Sequence, residues 1–325
     1  MTLTVVSLGG PVAPEAEALL RAAGVNSIAT EPYPGRERMI TTLAEHQADA
    51  VIVRLVDRID EAVLRASPRL RVVAKHGAGT NDIDVAAAGR LGLPVLAATG
   101  CNAHSVAEHA LALMLALIKD LRRQDAFVRG GGWEKKAYQG HELRGRRLGL
   151  VGIGLIAQAL ARMADAVGMQ VTAYDPFAPD EAFGAKVGRA ADLDTLLRES
   201  DVVSLHCPLT DRTRGLIGAR ELGLMKPTAL LINTARGEVV DVSALVQALQ
   251  AGAIAGAGLD TFAPEPPAAD NPLWRLDTVI VSPHVGGVTE EARREVSLQT
   301  VRNVLAVLRN EDVHPRYVVR VQDGQ

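Results

Sequence analysis

The chain carries the glycine motif G-x-G-x-x-A at Gly152, Gly154 and Ala157, nearly halfway along its 325 residues. The apolar run "RLGLV" precedes the motif, and the segment "LIAQALARMADAVG", which has helical spacing, follows it. The first glycine permits a tight turn, the second lets a phosphate approach the backbone, and the third position needs only a small side chain. The pattern predicts a strand, a phosphate-binding turn and a helix that begin a nucleotide-binding domain.

An acidic residue follows this motif at the spacing that a dinucleotide site needs. Asp175 ends the next apolar run, "MQVTAYD", 23 positions after Gly152. A carboxylate there binds ribose hydroxyls and repels a 2′-phosphate. Because no arginine accompanies it in "YDPFAPD", the sequence predicts NAD rather than NADP.

Apolar runs alternate with helical segments on both sides of the motif, as in "TLTVVSL", "DAVIVR" and "LRVVAKHG" before it and "DVVSLHCP", "TALLINTARG" and "TVIVSPH" after it. This alternation predicts two doubly wound α/β domains with parallel sheets. A helix is predicted from about His104 to Arg123, ending before the glycine-rich "RGGGW". The residues after the last helix are too few to fold alone, so we expect them to complete the N-terminal domain. The nucleotide domain is then inserted into a discontinuous partner.

Composition argues against several classes of function. The net charge is −3, the sequence contains no block of basic residues, and aromatic residues make up 3% of it. These features disfavour nucleic-acid binding. Cys101 and Cys207 are far apart and belong to no metal-ligand cluster. The uncharged run from His109 to Ile118 is shorter than the ~20 residues of a membrane span. We expect a cytoplasmic protein without metal, membrane or nucleic-acid partners.

Three predicted strands end in residues suited to catalysis. The stretches "INTARGEVVD", "GLDTFAPEPP" and "VSPHVGG" supply Arg236, Glu265 and His284. Since the carboxyl ends of parallel strands meet at one edge, we expect these side chains to face one crevice. Arginine can bind a carboxylate with two hydrogen bonds, and histidine can donate a proton while glutamate fixes its tautomer and raises its pKa. Each residue alone could be structural, but together they fit the reduction of a 2-oxo acid.

Seven stretches match one enzyme family in order and spacing: "KHGAGTNDID", "NAHSVAEHALALMLAL", "GIGLIAQALA", "HCPLTDRTRGLIG", "INTARGEVVDVSAL", "GLDTFAPEP" and "SPHVGG". They resemble the D-isomer-specific 2-hydroxyacid dehydrogenases over almost the whole chain. The resemblance implies a Rossmann NAD-binding domain, residues 100–285, inserted into a flavodoxin-like substrate domain, residues 1–99 and 286–325. It also implies a homodimer that uses the long helix from His104.

The resemblance assigns roles to individual residues. It implies that Arg236, Glu265 and His284 are catalytic and that the backbone at Gly77, Ala78 and Gly79 binds the substrate carboxylate. It places Asp260 at the nicotinamide carboxamide and Cys207, Pro208 and Thr213 on the adenosine side. The remaining implied NAD ligands are Gly152, Gly154, Leu155, Ile156, Asp175 and Thr234. Leu155 departs from the family, where a polar residue is common, so its side chain supplies no phosphate contact.

Within the family, the sequence is most similar to the 3-phosphoglycerate dehydrogenases, particularly in "GTNDIDV". Arg54 and Lys135 match basic residues that bind the substrate phosphate in those enzymes. The apolar Leu55 and Val56, where those enzymes often carry polar groups, leave a hydroxypyruvate or glyoxylate reductase as the alternative.

Two other readings are weaker. Formate dehydrogenases carry glutamine where this chain has Glu265. A non-enzymatic, NAD(H)-sensing corepressor would share the fold, but the intact set of arginine, glutamate and histidine favours an enzyme.

Overall fold

A computed structural model of the chain describes residues 2–56, 58–136 and 138–319. The chain divides into two compact units. The first, here the outer unit, comprises Met1–Asn102 and Val288–Gln325, and the second, here the central unit, comprises Ala103–Gly287. The sequence analysis put these divisions at residues 99/100 and 285/286.

The described residues of the outer unit form a five-stranded sheet in the order β2-β1-β3-β4-β5, with every pairing parallel. This order is that of flavodoxin-like folds. The strands are β1 (Thr4–Leu8), β2 (Asn26–Ala29), β3 (Ala50–Val53), β4 (Val72–Lys75) and β5 (Val95–Ala97). The intervening helices are α1 (Pro14–Ala22), α2 (Arg36–Glu45), α3 (Glu61–Leu64) and α4 (Val85–Arg90). Strands β1, β3 and β5 are fully buried, as expected of a sheet covered on both faces.

The described part of the central unit forms a seven-stranded parallel sheet in the order β12-β11-β10-β9-β6-β7-β8. The strands are β6 (Arg147–Val151), β7 (Gln170–Tyr174), β8 (Val187–Arg189), β9 (Val202–Leu205), β10 (Leu230–Asn233), β11 (Gly256–Leu259) and β12 (Val279–Val281). From β6, the strand that precedes the glycine motif, successive strands are added first on one side (β7, β8) and then on the other (β9 to β12), as in Rossmann folds. The predicted fold class is confirmed.

Helices cover both faces of the central sheet. One apolar core lies under α5 (Ala103–Ile118) and α7 (Leu155–Ala166). The other lies under α8 (Leu193–Glu199), α9 (Ala219–Leu224) and α10 (Val242–Gln250). These layers leave the carboxyl ends of the strands as the edge at which polar side chains gather.

The last helix, α11 (Glu290–Leu308), returns to the outer unit. Four buried side chains of α11 share an apolar core with β1, β3 and β4: Val301, Val304, Leu305 and Leu308. Arg71, just before β4, donates hydrogen bonds to the carbonyl oxygens of Val307 and Leu308. Residues beyond α11 reach β5, where the Val319 amide donates to the Val95 carbonyl. The outer unit is therefore completed by the last segment of the chain.

The single helix predicted from His104 to Arg123 is wrong. The structure breaks it into α5 and α6 (Leu121–Arg129), because Asp120 takes a left-handed conformation with φ of +49°. An α-helix cannot continue through such a residue. Seven of the 16 residues of α5 are buried, and none of the described helices is long and apolar enough to cross a membrane.

Candidate active site

The glycine motif forms a tight turn between β6 and α7. Gly152 has a φ of +91°, and a Cβ there would lie 2.9 Å from the carbonyl oxygen of His206. Gly154 is the N-cap of α7, and nothing lies within 4 Å of where its Cβ would be. The N–H groups of the first turn of a helix have no partner inside the helix, so an open N-cap leaves them accessible to phosphates.

Asp175 lies at the end of β7 beside this turn. One carboxylate oxygen accepts from the Ile153 amide at 3.1 Å, and the other accepts from the amides of Phe177 and Ala178 at 3.0 and 3.1 Å. The turn, the open helix N-terminus and the fixed carboxylate fit the pyrophosphate and ribose of NAD. The residues present therefore suit the predicted cofactor.

The predicted adenosine-side residues follow β9, and several are already engaged within the protein. The Thr213 hydroxyl donates to the Pro208 carbonyl at 2.6 Å and accepts from the Thr210 amide, which braces that turn. Burial raises the pKa of the Cys207 thiol to about 11, and the Asp175 carboxylate contributes, so Cys207 stays protonated. After β10, the buried Thr234 hydroxyl finds no hydrogen-bond partner within the described ranges.

The catalytic candidates lie at the ends of three adjacent strands, β10, β11 and β12. The Nδ1 atom of His284 is 2.8 Å from one carboxylate oxygen of Glu265. The other oxygen accepts from the Phe262 amide at 2.9 Å, which fixes the carboxylate. Because a carboxylate accepts, Nδ1 carries the proton of this bond and Nε2 is left to meet a substrate. The structure thus brings together two residues that the sequence placed on separate strands.

Arg236 is held by the strand end that carries it. The Asn233 side chain, which is buried, donates to the Arg236 carbonyl at 2.9 Å and accepts from the Ala235 amide at 3.0 Å. The next residue, Gly237, packs so closely on the β11 end that a Cβ would lie 2.0 Å from the carbonyl carbon of Phe262. This contact joins the strand end bearing Arg236 to the one bearing Glu265.

Asp260 anchors the loop that carries His284. Its carboxylate is 2% exposed and accepts hydrogen bonds from the Ser282 hydroxyl and from the amides of Val285 and Gly286, at 2.6, 2.9 and 2.8 Å. The Nε2 atom of His109 lies 2.8 Å from the Ser282 hydroxyl. Sequence reasoning assigned no role to Ser282 or His109. The available signal was a histidine, His109, directly before the apolar run "ALALMLALI".

The predicted substrate residues of the outer unit follow β3 and β4. Burial lowers the pKa of Arg54, and Arg293 contributes. Both Nε and Nη1 of Arg54 are buried without a partner among residues 2–56, 58–136 and 138–319. Gly77 begins the loop after β4 with a φ of +142°, and its carbonyl accepts from the Ala98 amide at 2.8 Å. The rest of this loop, Ala78 and Gly79, remains at least partly exposed.

His76, between β4 and this loop, is a partly buried titratable group to which the sequence assigned no role. Burial, together with the positive charges of Arg54, Lys75 and Arg293, lowers its pKa to about 3. Its Nε2 atom is 2.8 Å from the Ser297 hydroxyl on α11. His76 is therefore neutral at physiological pH and adds no positive charge beside Arg54.

Lys135 is exposed and follows α6 in the central unit, whereas Arg54 belongs to the outer unit. The two predicted phosphate ligands therefore do not share a unit. No cluster of three or more potential metal ligands occurs in the part of the chain that the structure describes.

The sequence pattern of the D-isomer-specific 2-hydroxyacid dehydrogenase NAD-binding domain matches residues 111–286. A D-3-phosphoglycerate dehydrogenase of Archaeoglobus fulgidus is 37% identical over 92% of this chain, which spans 56% of that relative's length. A glyoxylate reductase of Thermococcus litoralis is 40% identical, with 82% of each chain covered. A (S)-sulfolactate dehydrogenase of Chromohalobacter salexigens is 45% identical, covering 80% of this chain and 84% of the relative.

A solved structure, the TT0316 protein of Thermus thermophilus, superposes with a TM-score of 0.87 at 33% identity, covering 97% of this chain and all of that one. The chain belongs to the D-isomer-specific 2-hydroxyacid dehydrogenase family, whose members are NAD-dependent oxidoreductases. The predicted family, enzyme class and NAD cofactor are confirmed, whereas the relatives differ in the substrates that their names give.

Proposed function

We propose that this protein interconverts a D-2-hydroxy acid and its 2-oxo acid by hydride transfer with NAD. The observation that carries the proposal is the 2.8 Å pair of His284 and Glu265, at a strand end packed beside the one that bears Arg236. An imidazole fixed by a carboxylate and a neighbouring guanidinium are the groups that carbonyl reduction of an oxo acid requires.

The cofactor would lie on the turn at Gly152, over the N-terminus of α7, with its ribose at Asp175. NAD supplies or accepts the hydride. Arg236 would bind the substrate carboxylate and polarise the adjacent carbonyl. His284 would donate its Nε2 proton to the carbonyl oxygen in reduction and remove it in oxidation, while Glu265 stabilises the imidazolium.

We further propose that the substrate carries a second anionic group, as 3-phosphoglycerate does. The support is Arg54, whose buried Nε and Nη1 atoms have no partner in the described ranges. Unpaired buried donors are costly, so an anionic ligand would stabilise them. Two relatives point the same way, since phosphoglycerate carries a phosphate and sulfolactate a sulfonate. Lys135 remains a candidate for the same group, and the backbone from Gly77 to Gly79 remains the candidate for the substrate carboxylate.

A hydroxypyruvate or glyoxylate reductase is the second candidate. The observation that favours it is the apolar pair beside Arg54, where Leu55 is 46% exposed and Val56 is buried, so neither adds a polar ligand. The glyoxylate reductase relative agrees with this alternative.

A comparison of oxo acids tests both. NADH oxidation is followed at fixed pH and ionic strength with 3-phosphohydroxypyruvate, hydroxypyruvate and glyoxylate. We expect kcat/KM to favour the phosphorylated acid by about 100-fold, which corresponds to about 2.7 kcal/mol of transition-state binding. Equal turnover of the small acids would establish the second candidate, and no turnover of any would overturn the substrate class.

The units are also proposed to serve separate purposes, with residues 1–99 and 286–325 as the substrate domain and 100–285 as the NAD domain. We propose a homodimer in the cytoplasm. Its interface is to be sought first on α6 and the segment after it, because Leu121, Phe127, Val128 and Trp133 are 43–78% exposed. Sedimentation equilibrium of the wild-type chain and Phe127→Ser tests this. A monomeric wild type would contradict it.

A further inference from the structure

The loop from Ser282 to Gly286 presents His284 in an unusual backbone conformation. His284 has a φ of +55°, in the left-handed region that L-residues seldom adopt. Such a conformation persists only where the surroundings hold it. The groups that hold this loop therefore decide where the imidazole points.

The holding group is the buried carboxylate of Asp260. It accepts from both amides that follow His284, at Val285 and Gly286, and from the Ser282 hydroxyl that precedes it. A loop tied on both sides of one residue has little freedom at that residue. The carboxylate in turn depends on these donors, because a buried charge needs its hydrogen bonds.

His109 of α5 completes this chain of contacts. Its Nε2 lies 2.8 Å from the Ser282 hydroxyl oxygen and 3.5 Å from an oxygen of Asp260. The single hydroxyl proton of Ser282 goes to Asp260, so His109 must donate its Nε2 proton to Ser282. In this chain of hydrogen bonds, His109 donates to Ser282 and Ser282 donates to Asp260.

The ring of His109 also lies against the loop itself. A Cβ at Gly286 would be 3.3 Å from Cδ2 of His109 and 2.9 Å from Asp260. Helix α5 packs on β10, β11 and β12, so it is a rigid support for these contacts. The hydrogen bond of the His109 side chain to Ser282 fixes the ring over the loop that bears the proton donor.

We propose that His109, acting through Ser282 and Asp260, is a positioning residue that sets the orientation and hydrogen-bonded state of His284. The proposal rests on the proposed function insofar as His284 is the proton donor. Without the His109 donor, Ser282 can rotate away from Asp260, the loop can relax from its left-handed turn, and the bond between Nδ1 of His284 and Glu265 weakens. Within the described part of the chain, the polar contacts of the His109 side chain are to Ser282 and Asp260 rather than to either partner of that bond.

Paired substitutions separate positioning from packing. His109→Leu introduces an apolar side chain of similar bulk and removes the donor, whereas His109→Gln places an amide N–H near the Nε2 position. We expect kcat to fall about 10- to 100-fold in His109→Leu, as for other small misplacements of a reacting group, and to be largely restored in His109→Gln. Affinity for NADH, measured by fluorescence titration, should change little.

Two further variants test the route. Ser282→Ala should reproduce the loss of kcat, and adding His109→Leu to it should cost little more, because both changes break one chain of contacts. His104→Gln, on the same helix but with a side chain 73% exposed and paired with Glu108, is the control and should leave kcat unchanged. Fully additive losses in the double variant would contradict the route through Ser282.

The decisive readout does not need turnover. In protein labelled with ¹⁵N-histidine, the ring nitrogens of His284, assigned by their loss in His284→Gln, report which nitrogen carries the proton. We expect Nδ1 to be protonated in the wild type and in His109→Gln, and a mixed state in His109→Leu. Unchanged His284 shifts in His109→Leu would overturn the proposal, even if kcat or thermal stability fell. Retained turnover in His284→Ala would instead overturn the proposed function and leave this test of positioning intact.

Discussion

The strand ends of the two units differ in how the protein satisfies the charged side chains proposed to act on the substrate. In the central unit, Glu265 is bonded to His284 and to a backbone amide, and Asp260 accepts from three donors. In the outer unit, two nitrogens of Arg54 are buried without a partner in the described ranges. Glu265, His284 and Asp260 of the central unit are thus held in place by the protein itself, whereas Arg54 of the outer unit offers buried donors that suit a ligand.

This difference separates the chemistry from its substrate. Preorganised groups serve a reaction common to a family, because they need no adjustment to each molecule. Unsatisfied donors favour one kind of molecule, because only a ligand with matching acceptors compensates them. Under the proposed function, the central unit would determine the class of reaction, and the outer unit would be the place to look for specificity.

The largest expected effect comes from removing His284, the proposed proton donor of the central unit. His284→Ala should lower kcat by about 10²–10⁴-fold, because general acid catalysis is lost. NADH binding, measured by fluorescence titration, should remain, since the glycine turn and Asp175 are untouched. His46→Ala, at the exposed end of α2, is the control. An unchanged kcat would show that this unit is organised for some other purpose.

The next effect falls on the outer unit and is selective. Arg54→Met should lower kcat/KM for 3-phosphohydroxypyruvate by about 100-fold, since a charge-assisted contact is lost, and change that for glyoxylate by only a few-fold. Arg38→Met, at an exposed arginine of the same unit, should change neither value. Equal losses for both acids would place Arg54 in the scaffold and remove the contrast between the units.

A third prediction concerns the contact between β10 and β11. Gly237→Ala puts a methyl group 2.0 Å from the Phe262 carbonyl carbon, so the two strand ends must move apart. We expect the free energy of unfolding to fall by about 1–3 kcal/mol, as in overpacked cores, together with kcat. Gly223→Ala on α9 adds a methyl group with nothing within 4 Å, so it should instead raise the free energy of unfolding by about 0.4–1 kcal/mol. Denaturant titration measures both, and equal effects would refute the packing argument.

The smallest effect concerns one partly buried histidine in each unit. Burial lowers the pKa of His206 in the central unit to about 4, and that of His76 in the outer unit is lowered to about 3, with burial as the main cause. The unfolded chain protonates near pH 6.5, so the stability contributed by each neutral ring is present above that pH and is lost as pH falls towards the folded value. His76→Gln should reduce the loss between pH 7 and 5 by up to about 2 kcal/mol.

Calorimetric Tm values across this pH range measure the effect, with His46→Gln as the exposed control. A loss of stability in His76→Gln as steep as in the wild type would mean that His76 does not remain neutral on folding.

Most of the fold could be predicted because buried parallel strands need continuous apolar runs that end at polar or glycine-rich residues. The elements that sequence reasoning missed are those that need no such run. Strands β2 and β8 lie at sheet edges, pair on one side only and are partly exposed. The break between α5 and α6 was missed because an aspartate can adopt a left-handed conformation without a glycine or proline to mark it.

The candidate catalytic residues could be predicted for a related reason, since each follows a recognisable strand. What could not be predicted is how polar groups are satisfied. The acceptors of Asp260 meet donors 22 to 26 residues away, which only the folded sheet brings together. Whether an arginine at a strand end finds a carboxylate, or keeps buried nitrogens without a partner in the described part of the chain as Arg54 does, depends on atoms that no local pattern specifies.

Insertion of the central unit between Asn102 and Val288 has a consequence for the order of events on the ribosome. The five strands of the outer sheet are all synthesised before the central unit, but α11, which covers one face of that sheet, is synthesised after it. At about 5–20 residues per second, α11 is synthesised roughly 10–40 s after the five strands of that sheet. The central unit can mature as a contiguous stretch during translation, while the outer unit becomes complete only after α11 has been synthesised.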